Sequence, residues 1–332
     1  MKIMTAQYPQ SRLRRNRQDP WCRDLVAETR LSVKDFVLPL FVREKHIPGE
    51  IEAMPGVARY TLDELVPICQ KALSLGINAV LLFPYTDHSL KCEEGKEACN
   101  PENLVCRAVR KLKSTFPELG VMVDVALDPY TSHGHDGVIR EGLVANDETV
   151  YIIQKMALVL AEAGVDVVAP SDMMDGRIGA IRKALDDENH GNCRILAYSA
   201  KYASAFYGPF REALGTLNAL GKADKKTYQM DPSNSQEALR EAAQDLLEGA
   251  DMLMVKPALP YLDIIYRIKE TFHLPLFAYQ VSGEYSVLKA AGNNGWIDFE
   301  RALMESLIAI KRAGATGIIT YAALEAAEIL RR

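Results

Sequence analysis

Two lysines carry the first chemical signal in this chain. In ADMLMVKPALPYLD (250–263) the apolar run 252–255 ends at Lys256, and Pro257 follows at once. The run is too short for a buried helix and is bounded like a core strand of a parallel sheet. Such a strand disfavours an ammonium group, and proline cannot continue its hydrogen-bond ladder. Lys256 is therefore expected where the strand leaves the sheet, its head facing the space beyond. RILAYSAKYAS (194–204) repeats the arrangement, with Lys201 after an apolar stretch and small residues. A lysine held against apolar walls loses hydration, so its pKa falls and it becomes an amine nucleophile toward carbonyls. One such lysine also reads as a side chain snorkelling at a strand end. Two of them point to Schiff-base chemistry.

The elements that must position these lysines alternate along the chain. Apolar strands are expected at 36–42, 78–84, 120–127, 165–172, 194–199, 252–256, 275–281 and 317–323. Helices are expected between them, at 61–76, 101–116, 147–163, 176–187, 235–248, 260–272 and 299–313. Thr61 caps the first helix and Gly76 closes it, while Pro101 is expected in the first turn of the second. A long polar connection covers 208–234. No strand-to-strand hairpin is read. Eight such units point to a closed (β/α)8 TIM barrel over 36–332 as one catalytic domain. An open doubly wound sheet is the alternative, weakened by the lack of G-x-G-x-x-G after the first strand. Residues 1–35 stand apart: polar and basic, with Arg12, Arg14, Arg15 and Arg17 ahead of Trp21 and Leu25. They are read as an extended N-terminal arm for subunit contacts.

In such barrels the chemistry lies at the C-terminal ends of the strands. Those ends carry Asp124 and Asp128, Ser171 and Asp172, Lys201, Lys256, and then Tyr279, Ser282 and Tyr321. Carboxylates and hydroxyls beside two lysines suit carbonyl condensation with proton transfer. They do not choose the carbonyl compound.

Composition excludes several other classes. The chain has 332 residues, 48% hydrophobic and 25% charged, as in an ordinary soluble globular protein. A net charge of -5 argues against nucleic acid as the main partner. No apolar run approaches the ~20 residues of a membrane span. The start has a basic part without an apolar core, so no secretory signal is expected. Six cysteines without a Cys-x-x-Cys pair fit free thiols in a reducing cytoplasm.

Longer motifs then narrow the choice. SDMMDGRIGAIR, AYSAKYASAFYGPFR, TYQMDPSNS, ADMLMVKPALPYLD and AYQVSGEYS, in this order and spacing, resemble the porphobilinogen synthase (5-aminolevulinate dehydratase) family. The likeness runs from about Arg12 to the C-terminus. It implies condensation of two 5-aminolevulinate molecules to porphobilinogen with loss of water, in tetrapyrrole (heme) biosynthesis. By that resemblance Lys201 and Lys256 are the Schiff-base lysines. Arg211 and Lys225 match cations for one substrate carboxylate, although Lys226 leaves that second assignment open by one position. Ser282 and Tyr321 match hydroxyls for the other carboxylate, and Gln229 and Tyr279 belong to the same substrate-binding set.

Family members that use zinc carry three cysteines in the region matching DVALDPYTSHGHDG (124–137). Here Ala126, Asp128 and Asp136 stand in their places. The resemblance therefore implies no active-site zinc, with Asp124, Asp128, Asp136 and Ser171 serving catalysis as oxygen groups. Hard oxygen ligands favour Mg²⁺ over Zn²⁺. His133 and His135, between Gly134 and Gly137, suggest a mobile lid. Glu241 matches the family's allosteric Mg²⁺ carboxylate, and the arm implies a homo-oligomer, an octamer. Two other readings stay open: an aldolase-type lyase and a non-catalytic barrel.

Overall fold

The computed structural model describes residues 6–216 and 224–332. The first five residues of the expected arm, and the middle of the expected 208–234 connection, lie outside the described residues.

Eight parallel strands form the centre: β1 (Phe36–Val42), β2 (Ala79–Pro84), β3 (Gly120–Val125), β4 (Val167–Pro170), β5 (Arg194–Lys201), β6 (Met252–Lys256), β7 (Leu276–Gln280) and β8 (Gly317–Thr320). Each pairs with the next, and β8 returns to β1 through Phe36↔Ile318 and Val37↔Ile319, which closes the barrel. The expected (β/α)8 architecture holds. All seven residues of β1 are buried, as a strand covered on both faces must be. The helices form the outer layer. Leu104–Thr115, for example, buries Val105, Ala108, Val109 and Leu112, which recur at helical spacing along one face. Burying each such side chain contributes about 1.5–3 kcal/mol.

Local signals set the helix boundaries. Thr61 and Glu64 exchange hydrogen bonds at the start of Leu62–Ser74, at 3.3 and 2.8 Å. Asn103 caps Leu104–Thr115 by accepting from Cys106 N at 2.9 Å. Pro101 thus precedes the cap in a turn, a correction to the expected helix start.

Several further elements were not expected. The Ser282–Asn293 helix follows β7, and the Ala323–Leu330 helix follows β8. Ile139–Arg140 and Leu143–Val144 form a small antiparallel hairpin outside the barrel. Its turn is Glu141–Gly142, with φ of 50° and 81°, the pair of positive values that a tight hairpin needs. Only Gly142 advertises it in the sequence.

Residues 6–30 contain two short helices, Arg15–Gln18 and Pro20–Leu25, neither with a buried residue. No described helix is long and apolar enough to cross a membrane.

Candidate active site

β5 and β6 set the two lysines side by side, since Lys201 and Lys256 are register partners at the strand ends. Both are buried. Their surroundings differ. Lys201 Nζ donates to the Ser171 carbonyl at 2.5 Å and pairs with Asp136 at 3.1 Å. Lys256 Nζ has no ion pair among the described residues. It lies over the rings of Tyr279, Phe210, Tyr198 and Tyr207, at 4.5, 4.9, 5.2 and 5.4 Å. Burial, and then the charge of Lys201, lowers the Lys256 ammonium to about 7. A substantial fraction is therefore free amine near neutral pH.

Three carboxylates surround the pair, all buried. Asp124, within β3, accepts from Ser171 Oγ at 3.0 Å, while its Oδ1 is buried without a partner. Burial raises it to about 6, against the pull of both lysines. Asp128 and Asp136 follow on the loop after β3. Burial also raises Asp128. Asp136 would rise by burial too, but Lys201 and Lys225 outweigh it and hold it below the usual carboxylate range. Lys225 Nζ reaches Asp136 at 2.6 Å and Asp128 at 3.2 Å. Lys226 points away, largely exposed beside Asp224. Of the two adjacent lysines, only Lys225 faces the lysine pair.

Asp124, Asp128, Ser171, Lys201, Lys225 and Lys256 line a cavity of about 30 Å³, with Arg211, Gln229, Tyr207 and Phe210 completing its walls. The cover is the segment from the Ala205–Tyr207 turn to the Gly208–Ala213 helix. Phe210 packs on Phe41 and Phe83 from the barrel mouth, at 5.7 and 5.2 Å between centroids. Behind the cavity, the Tyr279 and Tyr321 hydroxyls share a hydrogen bond of 3.0 Å. Ser282 Oγ accepts from Phe210 N at 3.0 Å and donates to Phe206 O at 3.3 Å. It holds the cover in this structure.

The loop 126–137, expected from its glycines to be a mobile lid, is fastened at several points in this structure. Gly137 is a close-packing position, because an added Cβ would lie 2.6 Å from Thr149 Oγ1 and 2.7 Å from Val144 Cγ1. His133 Nε2 bonds to Glu93 O, and His135 Nδ1 to Tyr228 OH, each at 3.1 Å. Both histidines are spent on fastening the loop.

With this geometry in view, similarity to known proteins is decisive. A family model described as delta-aminolevulinic acid dehydratase matches residues 10–329. The chain belongs to this family. A delta-aminolevulinic acid dehydratase from Bradyrhizobium diazoefficiens is 57% identical over 321 residues, covering 96% of this chain and 91% of that one. One from Rhodobacter capsulatus is 49% identical and covers 99% of both. The crystal structure of the Toxoplasma gondii delta-aminolevulinic acid dehydratase (porphobilinogen synthase), in complex with the reaction product porphobilinogen, superimposes with a TM-score of 0.94 at 50% identity. It covers 96% of this chain and 91% of that one.

Within the delta-aminolevulinic acid dehydratase fold, Glu241 lies apart from the lysines. It lines a groove of about 410 Å³ on the Gln236–Leu247 helix, with Asp175, Glu237 and Asp245. Burial raises its carboxyl, opposed by Arg177. Among the described residues, no three His, Cys, Asp or Glu side chains converge to hold a metal ion. A single carboxylate fits a largely hydrated Mg²⁺, which keeps several waters and takes one or two protein oxygens. It does not fit a zinc cage.

Sequence reasoning missed several members of this dehydratase site. Tyr198, Tyr207 and Phe210 wall the Lys256 amine, yet aromatic residues in apolar stretches read as core. Glu284 is fully internal and accepts from Ala258 N, Leu259 N and Val281 N, at 3.2, 2.6 and 2.7 Å, which pins the turn after Lys256. An acidic residue three positions beyond Val281, just past the apolar strand, was the available signal.

Proposed function

We propose that this chain condenses two molecules of 5-aminolevulinate into porphobilinogen with loss of water, a lyase reaction of tetrapyrrole (heme) biosynthesis. The observation that carries it is the register pair Lys201↔Lys256, with one amine walled by aromatic rings and the other ion-paired. The free Lys256 amine attacks the substrate ketone, and the carbinolamine loses water to give a Schiff base. Asp124, near 6 and bonded to Ser171, can lend and take back the protons that these steps move. Lys201 engages the second ketone from the adjacent strand end. Its partner Asp136, kept ionised by Lys201 and Lys225, holds that amine in place as a counter-charge. Holding both substrates against fixed strand ends contributes up to roughly 7–11 kcal/mol through proximity.

Arg211 supplies the cation for one substrate carboxylate, with a planar fork suited to bidentate contact. Lys225 sits beside it, already shared by Asp128 and Asp136, so it orients those carboxylates as well as attracting an anion. Gln229 completes that end. Tyr279, Ser282 and Tyr321 serve the other carboxylate as neutral donors.

Glu241 is the carboxylate assigned to an allosteric Mg²⁺, which would supply charge at a subunit contact and take no part in the chemistry. The exposed arm supports a homo-octamer. Six free cysteines suit a cytoplasmic location.

The test is incubation with 5-aminolevulinate, detection of the pyrrole, and borohydride reduction with peptide mapping. Trapped substrate is expected on Lys256, and Lys256→Ala should lower turnover by roughly three orders of magnitude or more. Normal turnover in a folded Lys256→Ala protein would overturn the assignment.

A further inference from the structure

The Gly208–Ala213 helix has only six residues, too few to be stable alone. It nevertheless carries both Phe210 and Arg211. Its position over the lysines must be imposed from outside.

Arg59 does this at one end. The residue is buried in a two-residue strand hydrogen-bonded to β1, where it pairs with Phe41. Its Nε donates to Ala213 O and its Nη2 to Glu212 O, both at 2.7 Å, which satisfies the open carbonyls of the last turn. Its Nη1 donates to Pro48 O at 3.1 Å and Glu50 O at 2.7 Å. Glu212 returns the contact, its carboxylate accepting from Glu52 N at 2.8 Å and Ala53 N at 3.2 Å. A cation at the helix C-terminus is favourable in itself. The other end is held by the Ser282 hydroxyl, which accepts from Phe210 N at 3.0 Å, and by the Tyr207 hydroxyl, which donates to Lys256 O at 3.1 Å.

We propose that Arg59 and Glu212 are positioning residues, a clasp that holds the helix of Phe210 and Arg211 at the depth where Arg211 meets a substrate carboxylate. Neither lines the cavity. The cavity is small, about 30 Å³, so the depth at which the helix sits decides the space left beside the lysines. The clasp's role rests on the assignment of Arg211 to a substrate carboxylate.

Steady-state kinetics with 5-aminolevulinate on Glu212→Ala, Glu212→Gln, Arg211→Ala and the Glu212→Ala/Arg211→Ala double variant test it. Glu212→Ala removes two acceptors and should raise KM roughly tenfold, with kcat within about twofold, because both lysines stay on their strands. Glu212→Gln, which keeps one carbonyl acceptor, should fall between. The double variant should bind no worse than Arg211→Ala alone, since both changes disable one interaction. Far-ultraviolet circular dichroism confirms folding in each. A KM raised by Arg211→Ala but unmoved by Glu212→Ala would overturn the clasp and leave Arg211 in place. An unmoved KM in Arg211→Ala would remove the carboxylate assignment and the clasp with it. Additive effects in the double variant would also overturn the clasp.

Discussion

Lys201 and Lys256 are the same residue type at partnered positions, and their neighbours make them chemically unlike. Asp136 keeps a counter-charge on Lys201, whereas Lys256 faces four aromatic rings. Both lysines were legible in the sequence, because an ammonium at the end of an apolar strand is anomalous. The difference between them was not, because it depends on a carboxylate 65 residues away in the chain. The pH dependence follows with a definite sign. Lys256 titrates near 7 when folded, against an ordinary value of 10.5. Below about 7 it is an ammonium and cannot attack a ketone, so borohydride trapping should fall about tenfold per unit of pH on that limb. Stability has its own sign. Between about 7 and 10.5 the unfolded chain holds this proton and the folded chain does not, so the lysine's contribution to stability rises with pH across that window. A trapping rate flat from pH 5 to 7 would contradict the assignment.

At the scale of elements, strands and amphipathic helices were readable to within a few residues because their periods are strong. The cover over the site was not. A six-residue helix has no period to detect, and the long polar connection that contains it gave no sign that one face would plug the barrel. The Ser282–Asn293 helix escaped notice for a related reason: Gly283 near its start looks like a breaker. The structure gives that glycine a use. A Cβ there would lie 2.5 Å from Phe206 O and 2.7 Å from Phe206 Cα, which is backbone and cannot swing aside. Gly283→Ala is therefore expected to push the Ala205–Tyr207 turn outward and cost about 1–3 kcal/mol. KM should rise, and limited proteolysis should cut near residues 205–216. An unchanged KM and cleavage pattern would show that the two segments need not touch.

For the whole molecule, the barrel was legible from eight repeated units, and its closure was confirmed by β8 returning to β1. The arm was legible only as a segment without a core of its own. Among the described residues, Tyr8, Leu13, Trp21 and Leu25 are each at least 66% exposed, and the hydrogen bonds of 7–30 stay within the arm. Ordering such a segment costs about 1–2 kcal/mol per residue in backbone entropy, which a neighbouring subunit would have to offset. Sedimentation should show that deleting residues 1–30 yields smaller, less active species. If Mg²⁺ at Glu241 binds the larger assembly better, that population should grow with the ion. Glu241→Ala should abolish the growth while borohydride still traps substrate. An active monomer indifferent to both changes would refute this arrangement.

The closing pair Phe36↔Ile318 joins positions near opposite ends of the chain. On a ribosome that adds residues from the N-terminus, β1 waits with an open edge until β8 has emerged, and Asp35 waits as long for Lys311, its partner at 2.8 Å. Throughout that interval the growing sheet presents two unpaired strands to every other nascent chain nearby. The pairing that gives the finished barrel no edge thus makes its birth slow and exposed. A nascent chain stalled before residue 317 should engage holding chaperones and aggregate when released, whereas one extended past 330 should not. Ribosome-bound chains arrested on a C-terminal linker that carries those two end points clear of the exit tunnel would show the difference directly.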